Sequence, residues 1–548
     1  MIQAKTIDGV LLRDMVVAGA ALLERNREAV DALNVFPVPD GDTGTNMSLT
    51  MSSATREVNQ KEYLNAGEAA AAVAKGALKG ARGNSGVITS QLFRGFSRAL
   101  KEVERITPTQ FAAALQKGAE TAYKAVMKPK EGTILTVARV IAEEAVKQAE
   151  KTPDDYEALF TNILTTGEAI LKKTQEMLPA LTQAGVVDAG GRGLLLIYMG
   201  YAAVLRGEEL PDAAMGAEGE ESKAEDHLTC DLNYIYSTEF GVEKLFPDIV
   251  EEDIDSLRRR LNRIGDFVRV SGDLSAVKVH VHTNEPGKAL EFGLSLGELV
   301  NLNIENIAQL RRADEPQPEA EPQKPAEPPK EMGMVAVSLG EGFNKIFHDL
   351  TVDQVVEGGQ TMNPSIEDIF EAVEKVNAKN VFVLPNNGNV ILAAQQAAKL
   401  CEDKTVFVIP TKNAPMGIAA AIACQPEAAA EENAARMEEA AQRVRTASVT
   451  YAVRDTDLDD LHIHEGDIIG LYNGKIDIVG NDVQQVARDL MQKIVTEDDE
   501  LITVYYGKDV QEADAQALTD ELAEAYDDCD VEMQNGGQPL YYYLISVE

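Results

Sequence analysis

Along the first two hundred residues, apolar side chains recur at helical spacing and are interrupted by short glycine-containing segments. Alanine-rich amphipathic runs such as AGAALLERNREAVDALN and AGEAAAAVAKGALKG predict helices, and the glycines between such runs predict the loops that join them. We therefore expect residues 1–206 to form an all-helical domain.

The rest of the chain has a different pattern. LNYIYSTEF and AVKVHVHT predict strands around a helical stretch, which indicates a small α+β domain over residues 223–312. Beyond it, short buried strands alternate with helices in MGMVAVSLG, NVFVLPNNG, TVFVIPT and LITVYYG, which is typical of an α/β domain, here residues 332–548. The polar segment MGAEGEESKAED predicts a mobile hinge, and RRADEPQPEAEPQKPAEPPKE predicts an extended, semi-rigid spacer.

Charge and composition exclude several classes of protein. The net charge of −39 over 548 residues argues against a nucleic-acid partner, because phosphate backbones would be repelled. No apolar run approaches the roughly 20 residues that span a bilayer, and MIQAKTIDGVLLRD lacks the features of a signal peptide. The four cysteines are scattered and indicate neither a disulfide framework nor a CxxC site. We expect a cytoplasmic protein that does not span a membrane.

The segment NVFPVPDGDTGTNM carries the strongest chemical signal. Asp40 and Asp42 stand two residues apart, in a stretch whose prolines and glycines predict a loop rather than a helix. Carboxylate, hydroxyl and amide oxygens are the ligands of a hard cation such as Mg²⁺. The alternative is an acidic turn with helix caps, since the same residue types favour those positions.

Three further glycine-rich segments precede apolar runs. GALKGARGNSG contains Asn84, Ser85 and Gly86 before the predicted helix VITSQLF; KPKEGTILTVAR contains Thr133; GVVDAGGRGLL contains Asp188. Small residues let backbone N–H groups approach an anion, and a helix N-terminus favours negative charge. Any one of these segments alone would indicate a tight loop between helices. Four of them predict a single site lined by loops.

These motifs support a resemblance. DGDTGTNM, GARGNSGVI, EGTILTV and GVVDAGGRGL, in this order, resemble the nucleotide-binding domain of the dihydroxyacetone kinase family. The whole chain is similar to catalytic subunits of bacterial fatty acid kinases, which have a DegV-like C-terminal domain. The resemblance implies an all-helical barrel that binds ATP, with two Mg²⁺ ions held by the catalytic residues Asp40 and Asp42. It implies nucleotide contacts at Thr45, Asn46, Asn84, Ser85, Gly86, Thr133 and Asp188. The family has a further upstream aspartate, for which Asn34 is the nearest candidate.

The residues of the first domain indicate which chemical class of substrate could accept a phosphoryl group. No histidine precedes His227, so the first domain has no imidazole base, whereas a carboxylate acceptor with a pKa near about 4.3 is already ionised. The resemblance implies phosphoryl transfer from ATP to a fatty acid on a separate DegV-family carrier protein, giving acyl phosphate for phospholipid synthesis, by a homodimer. Two alternatives stay open. One is a kinase of another small carboxylate or alcohol, and the other is a non-enzymatic nucleotide-sensing scaffold.

A second metal site is suggested in the middle segment. His280 and His282 alternate along a predicted strand and so share one face, which suits Zn²⁺. Related proteins carry a cysteine where this chain has Ser237, and Cys230 or Glu239 would have to substitute for it. The alternative is that both histidines are ordinary sheet residues. For His462 and His464 we expect a solvated strand.

Two loops of the last domain fall after or between predicted strands, where α/β folds place binding sites. They are EGGQTMNPS, ending at Ser365, and LPNNGNV, which includes Asn386 to Asn389. Resemblance to DegV-like carriers implies a fatty-acid carboxylate site there, while resemblance to the kinase subunit implies a surface that engages the carrier. QNGGQPLYYY is a third such loop. Plain structural turns are the alternative for all three.

Overall fold

The computed structural model describes residues 2, 4–35, 41–208, 236–246, 249, 251–261, 263–272, 276–306, 329–359, 362–452, 456–458 and 461–548. The chain divides into two compact units. One combines Met1–Ala217 with Pro328–Glu548, and the other is Glu218–Glu327. The predicted hinge at 215–226 and most of the predicted spacer at 311–331 lie outside the described residues, and the three domain boundaries stay predictions.

The N-terminal part of the first unit, here called the helical half, is helical as predicted. Its helices are α1 Gly9–Arg25, α2 Arg27–Ala32, α3 Thr43–Val58, α4 Ala66–Lys79, α5 Gly83–Ala99, α6 Pro108–Ala125, α7 Ile134–Lys151, α8 Tyr156–Met177, α9 Pro179–Ala184 and α10 Ala189–Arg206. Their apolar stripes meet in one continuous core. Within the described ranges, no helix is both long and apolar enough to cross a membrane.

One predicted helix is divided into two. AGAALLERNREAVDALN breaks at Asn26, whose backbone (φ −106°, ψ 11°) leaves the helical region between α1 and α2. The buried Asn26 amide donates a hydrogen bond of 2.8 Å to the Leu22 carbonyl near the end of α1. A side chain that satisfies a helix-end carbonyl competes with continuation of the helix, and this explains the break.

The second unit contains an antiparallel sheet with strand order β2-β3-β1-β4. Its elements are β1 Tyr236–Glu243, α11 Glu251–Leu261, β2 Gly265–Gly272, β3 Ala276–Thr283, α12 Pro286–Leu294 and β4 Glu298–Asn306. AVKVHVHT forms β3 as predicted, and the described part of LNYIYSTEF lies in β1. Phe240 and Val242 of β1 and Val279 of β3 are buried against the two helices.

The C-terminal part of the first unit, here called the α/β half, has two main sheets. The parallel sheet has strand order β6-β5-β7-β8, and the mixed sheet β13-β12-β9-β16-β14-β15. The elements are β5 Lys330–Ser338, α13 Glu341–Asp349, β6 Gln354–Glu357, α14 Ile366–Lys375, β7 Ala378–Leu384, α15 Ile391–Ala398, β8 Thr405–Val408, α16 Ala414–Ala423, α17 Ala430–Arg443, β9 Arg445–Tyr451, β10 Thr456–Leu458, β11 Leu461–Ile463, β12 Ile468–Tyr472, β13 Lys475–Gly480, α18 Val483–Ile494, β14 Leu501–Tyr506, α19 Glu512–Ala525, β15 Asp530–Asn535 and β16 Tyr543–Val547. The predicted alternation of strands and helices is confirmed.

The helical half and the α/β half share a hydrophobic cluster. Ala81 and Val87 of the helical half are fully buried with Ile366, Ile369 and Val390 of the α/β half. The loops after β6 and β7 emerge at the carboxyl edge of the parallel sheet, because parallel strands all end on one side. This edge of the sheet meets the helical half.

Candidate functional site

The second half of the acidic segment is helical. Gly41 adopts a positive φ (+63°), Asp42 occupies the N-cap position and α3 begins at Thr43. Our prediction of a loop throughout NVFPVPDGDTGTNM is therefore wrong for Thr43 to Met47, because the turn at Gly41 leaves the following residues free to wind a helix. Asp40 and the preceding residues 36–39 lie outside the described part of the chain.

Asp31 of α2, which the sequence analysis did not identify, caps α3. Its Oδ1 accepts the backbone N–H of Thr45 at 3.0 Å and its Oδ2 accepts the Thr45 hydroxyl at 2.7 Å. Thr45 is the third residue of the helix, so Asp31 does the work normally done by an N-cap side chain. Burial raises the pKa of the Asp31 carboxyl, although the bonds from Thr45 act in the opposite direction.

Asn34, the candidate for an additional metal ligand, is buried at the end of α2. Its backbone N–H donates to the Asp31 carbonyl at 3.0 Å, so the two residues are neighbours. The metal role of Asn34 stays a prediction.

The segment GARGNSG packs directly on the first turns of α3. Gly83, the first residue of α5, has φ +57°, and a Cβ there would lie 2.5 Å from Nδ2 of Asn46. A Cβ on Gly86 would collide with the Thr50 hydroxyl. Glycine at these positions lets the N-termini of α3 and α5 touch, which brings Asn46 and the half-exposed Ser85 to one place.

Asp188, in the segment GVVDAGGRGL, also contacts the segment EGTILTV. It is the N-cap of α10, where its Oδ2 accepts the Gly191 N–H at 2.7 Å, and it also accepts the N–H of Ile134, the first residue of α7. Burial raises the pKa of Asp188 to about 6, against the effect of these two hydrogen bonds. Thr133 is the N-cap residue of α7, and its hydroxyl donates to the Lys130 carbonyl at 2.8 Å. The structure therefore gives Asp188 a clear role in holding two helix ends together.

The N-termini of α3 and α5 and those of α7 and α10 lie at the same end of the helical half. A Cβ on Gly193, in the second turn of α10, would be 2.7 Å from the sulfur of Met47, in the second turn of α3. The N-termini of α3, α5, α7 and α10 are thus linked by direct contacts. Each helix N-terminus carries the positive end of its helix dipole, which attracts negative charge, so this arrangement suits a polyanion.

The α/β half reaches into this site. Asn363, in the loop after β6, donates from Nδ2 to Oδ2 of Asp42 at 2.6 Å, and its own carbonyl accepts from Nη1 of Arg82 at 2.8 Å. Asn84, in the first turn of α5, donates to the Asn389 side chain at 2.9 Å. The loops EGGQTMNPS and LPNNGNV therefore contact the acidic segment and the glycine-rich segment GARGNSG. No local pattern in the sequence links these distant segments.

The predicted zinc residues lie in the second unit. Across the β1–β3 pairing, His280 stands opposite Glu239 and His282 opposite Ser237. Of these, only His282 has a described side chain, and Cys230 lies outside the described residues. Among the described residues, no group of three His, Cys, Asp or Glu is arranged to hold a metal. The zinc site stays a prediction.

The second histidine pair is placed in part. The His462 side chain is outside the described residues, while His464 is exposed after β11 and its backbone N–H donates to Asp467 at 2.8 Å.

Comparison with known proteins gives matches along most of the chain. Family models match residues 37–203 (DAK2 domain), 233–313 (FakA-like fatty acid kinase, middle domain) and 333–548 (FakA-like fatty acid kinase, C-terminal). Protein YloV of Bacillus subtilis (strain 168) is 45% identical over 555 residues, covering 99% of this chain and 100% of the relative. The chain belongs to the FakA-like family of fatty acid kinases. A protein of Staphylococcus aureus (strain USA300), named only as uncharacterized protein SAUSA300_1119, is 41% identical over 552 residues, covering 99% of each.

Likeness to solved structures is weaker. The Streptococcus pneumoniae fatty acid kinase B3 protein loaded with linoleic acid gives a TM-score of 0.29 at 13% identity, covering 40% of this chain and 99% of that one. The dihydroxyacetone kinase of C. freundii gives 0.29 at 13% identity, covering 40% and 48%. Scores this low support no functional argument. The family matches themselves confirm the resemblance drawn from the motifs, and membership of a kinase family implies use of a nucleotide.

Proposed function

We propose that this FakA-like chain is the ATP-dependent kinase component that phosphorylates a fatty acid held by a separate DegV-family carrier, giving acyl phosphate and ADP. The observation that carries the proposal is the convergence of four helix N-termini beside Asp42. The finer prediction of a closed helical barrel is part of the same proposal.

Nucleotide phosphates suit this end of the helical half. The first-turn N–H groups of α5 lie where Gly83 contacts Asn46 of α3, and backbone donors at a helix N-terminus bind phosphate without requiring basic side chains. Ser85 and Asn84, in the first turn of α5, are only partly buried and supply polar side chains beside those donors. We assign the phosphates of ATP to this position.

The residues present fit Mg²⁺. The helical half contains neither histidine nor cysteine, so the groups around Asp42 offer oxygen ligands alone, the set that a hard cation prefers. Asp42, together with Asp40, would hold the metal. When bound, Mg²⁺ would neutralise charge on the β- and γ-phosphates.

A carboxylate acceptor suits a site without imidazole. A fatty acid is ionised at neutral pH, so no residue of the helical half is required to take its proton. An alcohol acceptor would need such a group. What the chain must supply is alignment of the acceptor oxygen with the γ-phosphorus, and positioning of this kind contributes most of the catalysis in phosphoryl transfer.

The test measures ADP release from ATP, Mg²⁺ and carrier loaded with oleate. Asp42→Asn keeps the shape of the side chain and should lower turnover at least about 100-fold, because a metal ion contributes several kcal/mol of charge stabilisation. Asp154→Asn, at an exposed aspartate, is the matched control and should retain full turnover. Normal turnover by Asp42→Asn would refute the metal assignment.

The identity of the phosphoryl acceptor is tested by changing the acceptor supplied in the assay. Omitting the carrier, or replacing it with free oleate or dihydroxyacetone, should abolish ADP release. Release that persists with a free alcohol or small carboxylate would favour a kinase of a different substrate. Tight ATP binding by calorimetry, with no ADP released under any acceptor, would favour a nucleotide-sensing scaffold.

A further inference from the structure

The loop that carries Asn363 is fastened to the helical half through its backbone. The Ile366 N–H, at the first position of α14, donates to the Ala81 carbonyl at 3.1 Å, and Arg82 pairs with Ser365 in an isolated antiparallel bridge. The first N–H groups of a helix have no partner within the helix, so the Ala81 carbonyl takes up one of them. The contact is therefore specific in register as well as in position.

The same contact has an apolar centre and a polar edge. Ala81 and Val87 are fully buried in the cluster with Ile366. Around them, the Lys79 ammonium lies 2.6 Å from Glu367, and the Arg82 guanidinium lies 3.4 Å from Asp368. Apolar groups enclosed by hydrogen bonds and ion pairs are the usual anatomy of a docking interface.

This interface covers the acidic segment. Asn363 is 1% exposed and Asp42 7% exposed, and the 2.6 Å bond joins them directly. If Asp42 holds the metal that binds the nucleotide, a fatty acid has to approach the phosphates from this neighbourhood. In the present arrangement the α/β half fills it.

We propose that the contact between residues 79–88 and the segments 362–369 and 387–390 is a self-docked latch that closes the acceptor side of the nucleotide site. The inference rests on the proposed function, because it assigns the covered space to the incoming carrier. The latch opens for the loaded carrier to reach the site, so docking and phosphoryl transfer compete.

The composition of the latch suits reversible closure. The ion-pair side chains at its edge are 47% (Lys79) and 42% (Glu367) exposed, and such pairs are screened by solvent and individually weak. The helical half contributes two fully buried apolar side chains, those of Ala81 and Val87, and the other apolar side chains that it packs there are only partly buried. Altering a single charge should therefore shift the balance between closed and open states without unfolding either half.

The first measurement is hydrogen–deuterium exchange at the Ile366 amide in the full chain without ligands. Glu367→Lys places like charges together and should accelerate exchange about three- to ten-fold, and Lys79→Glu should do the same. The double swap Lys79→Glu/Glu367→Lys should restore slow exchange. Glu371→Lys is the matched control, since Glu371 lies one turn along α14 and pairs locally with Lys375. It should exchange as the wild type does.

The second measurement is ADP release at limiting concentrations of loaded carrier. Glu367→Lys and Lys79→Glu should each raise kcat/KM for the carrier about two- to five-fold and leave kcat at saturating carrier unchanged. The double swap should return kcat/KM to the wild-type value, and an effect that follows the pairing of charges distinguishes a latch from general damage.

Two results would overturn the latch. One is wild-type exchange at Ile366 in both single charge reversals. The other is faster exchange accompanied by an unchanged or lower kcat/KM for the carrier. Absence of ADP release by the wild type with any carrier would instead refute the proposed function, together with the latch's assigned role. Exchange at Ile366 would then still report whether the two halves dock.

Discussion

Replacing Asp188 by asparagine should remove a defined part of the pH dependence of stability. Asp188 is buried between the N-termini of α7 and α10 and accepts N–H groups from both. Burial raises its pKa from 3.8 to about 6 in the folded protein. The folded state therefore holds this proton more tightly than the unfolded state does.

The magnitude follows from linkage. The pKa differs by about two units between the two states, and each unit corresponds to about 1.36 kcal/mol, which gives about 3 kcal/mol. Because the folded pKa is the higher one, this stabilisation is fully present below about pH 4 and is lost as the pH rises through about 6. Asp188→Asn has no titrating group there, so its stability should lack this decline.

The assay is urea denaturation of both proteins from pH 4 to pH 7.5, followed by far-UV circular dichroism, to which the helical half contributes strongly. Every other titrating group is shared, so the difference between the two proteins isolates Asp188. We expect the wild type to lose about 2 kcal/mol relative to Asp188→Asn between pH 4 and pH 6.5, most of the full linkage effect. Parallel stability curves over this range would refute the raised pKa and the burial that causes it.

Two further substitutions test contacts at the site. Gly83→Ala should lower the free energy of unfolding by about 2–4 kcal/mol, because it combines a left-handed backbone with a Cβ 2.5 Å from Asn46. Gly185→Ala is the control: its backbone is also left-handed but the space around its Cβ is open, so the loss in the same urea titration should be only about 1–2 kcal/mol. Equal losses would contradict the close contact. Asp31→Ala should lower the free energy of unfolding by about 0.5–2 kcal/mol, because its two hydrogen bonds to Thr45 are lost, and should accelerate amide exchange at the start of α3. Unchanged exchange there would contradict the capping role.

The periodicity of the sequence was enough to predict the class of each region. Helical spacing identified the helical half, and buried strands between helices identified the α/β half, because burial of an apolar face imposes these periods directly. The predictions failed where one polar side chain outweighs periodicity. Asn26 breaks a helix whose apolar spacing continues past it, and the turn at Gly41 starts α3 inside a segment expected to be a loop.

The sequence predicted that the four motif segments lie together, but it did not predict the contacts between them. Glycine spacing indicated four loops near an anion, and the structure does bring the corresponding helix N-termini together. The cap on α3 comes from Asp31, twelve residues before the helix begins, and Asn363 lies 321 residues after Asp42, to which it is bonded. Such pairings depend on how whole elements pack, and no local pattern of residue types encodes them.

The bridge between Arg82 and Ser365 joins two halves that belong to one covalent chain. Tethered partners meet at an effective local concentration that does not fall on dilution, so how often the interface between them is occupied does not depend on the protein concentration. A separate protein that binds the same surface has to compete with this internal contact, whatever its own concentration. Substitutions that change only the strength of this internal contact, or the length of chain between the two halves, would therefore change how readily another protein reaches the covered site. The residues of the site itself would not have to change.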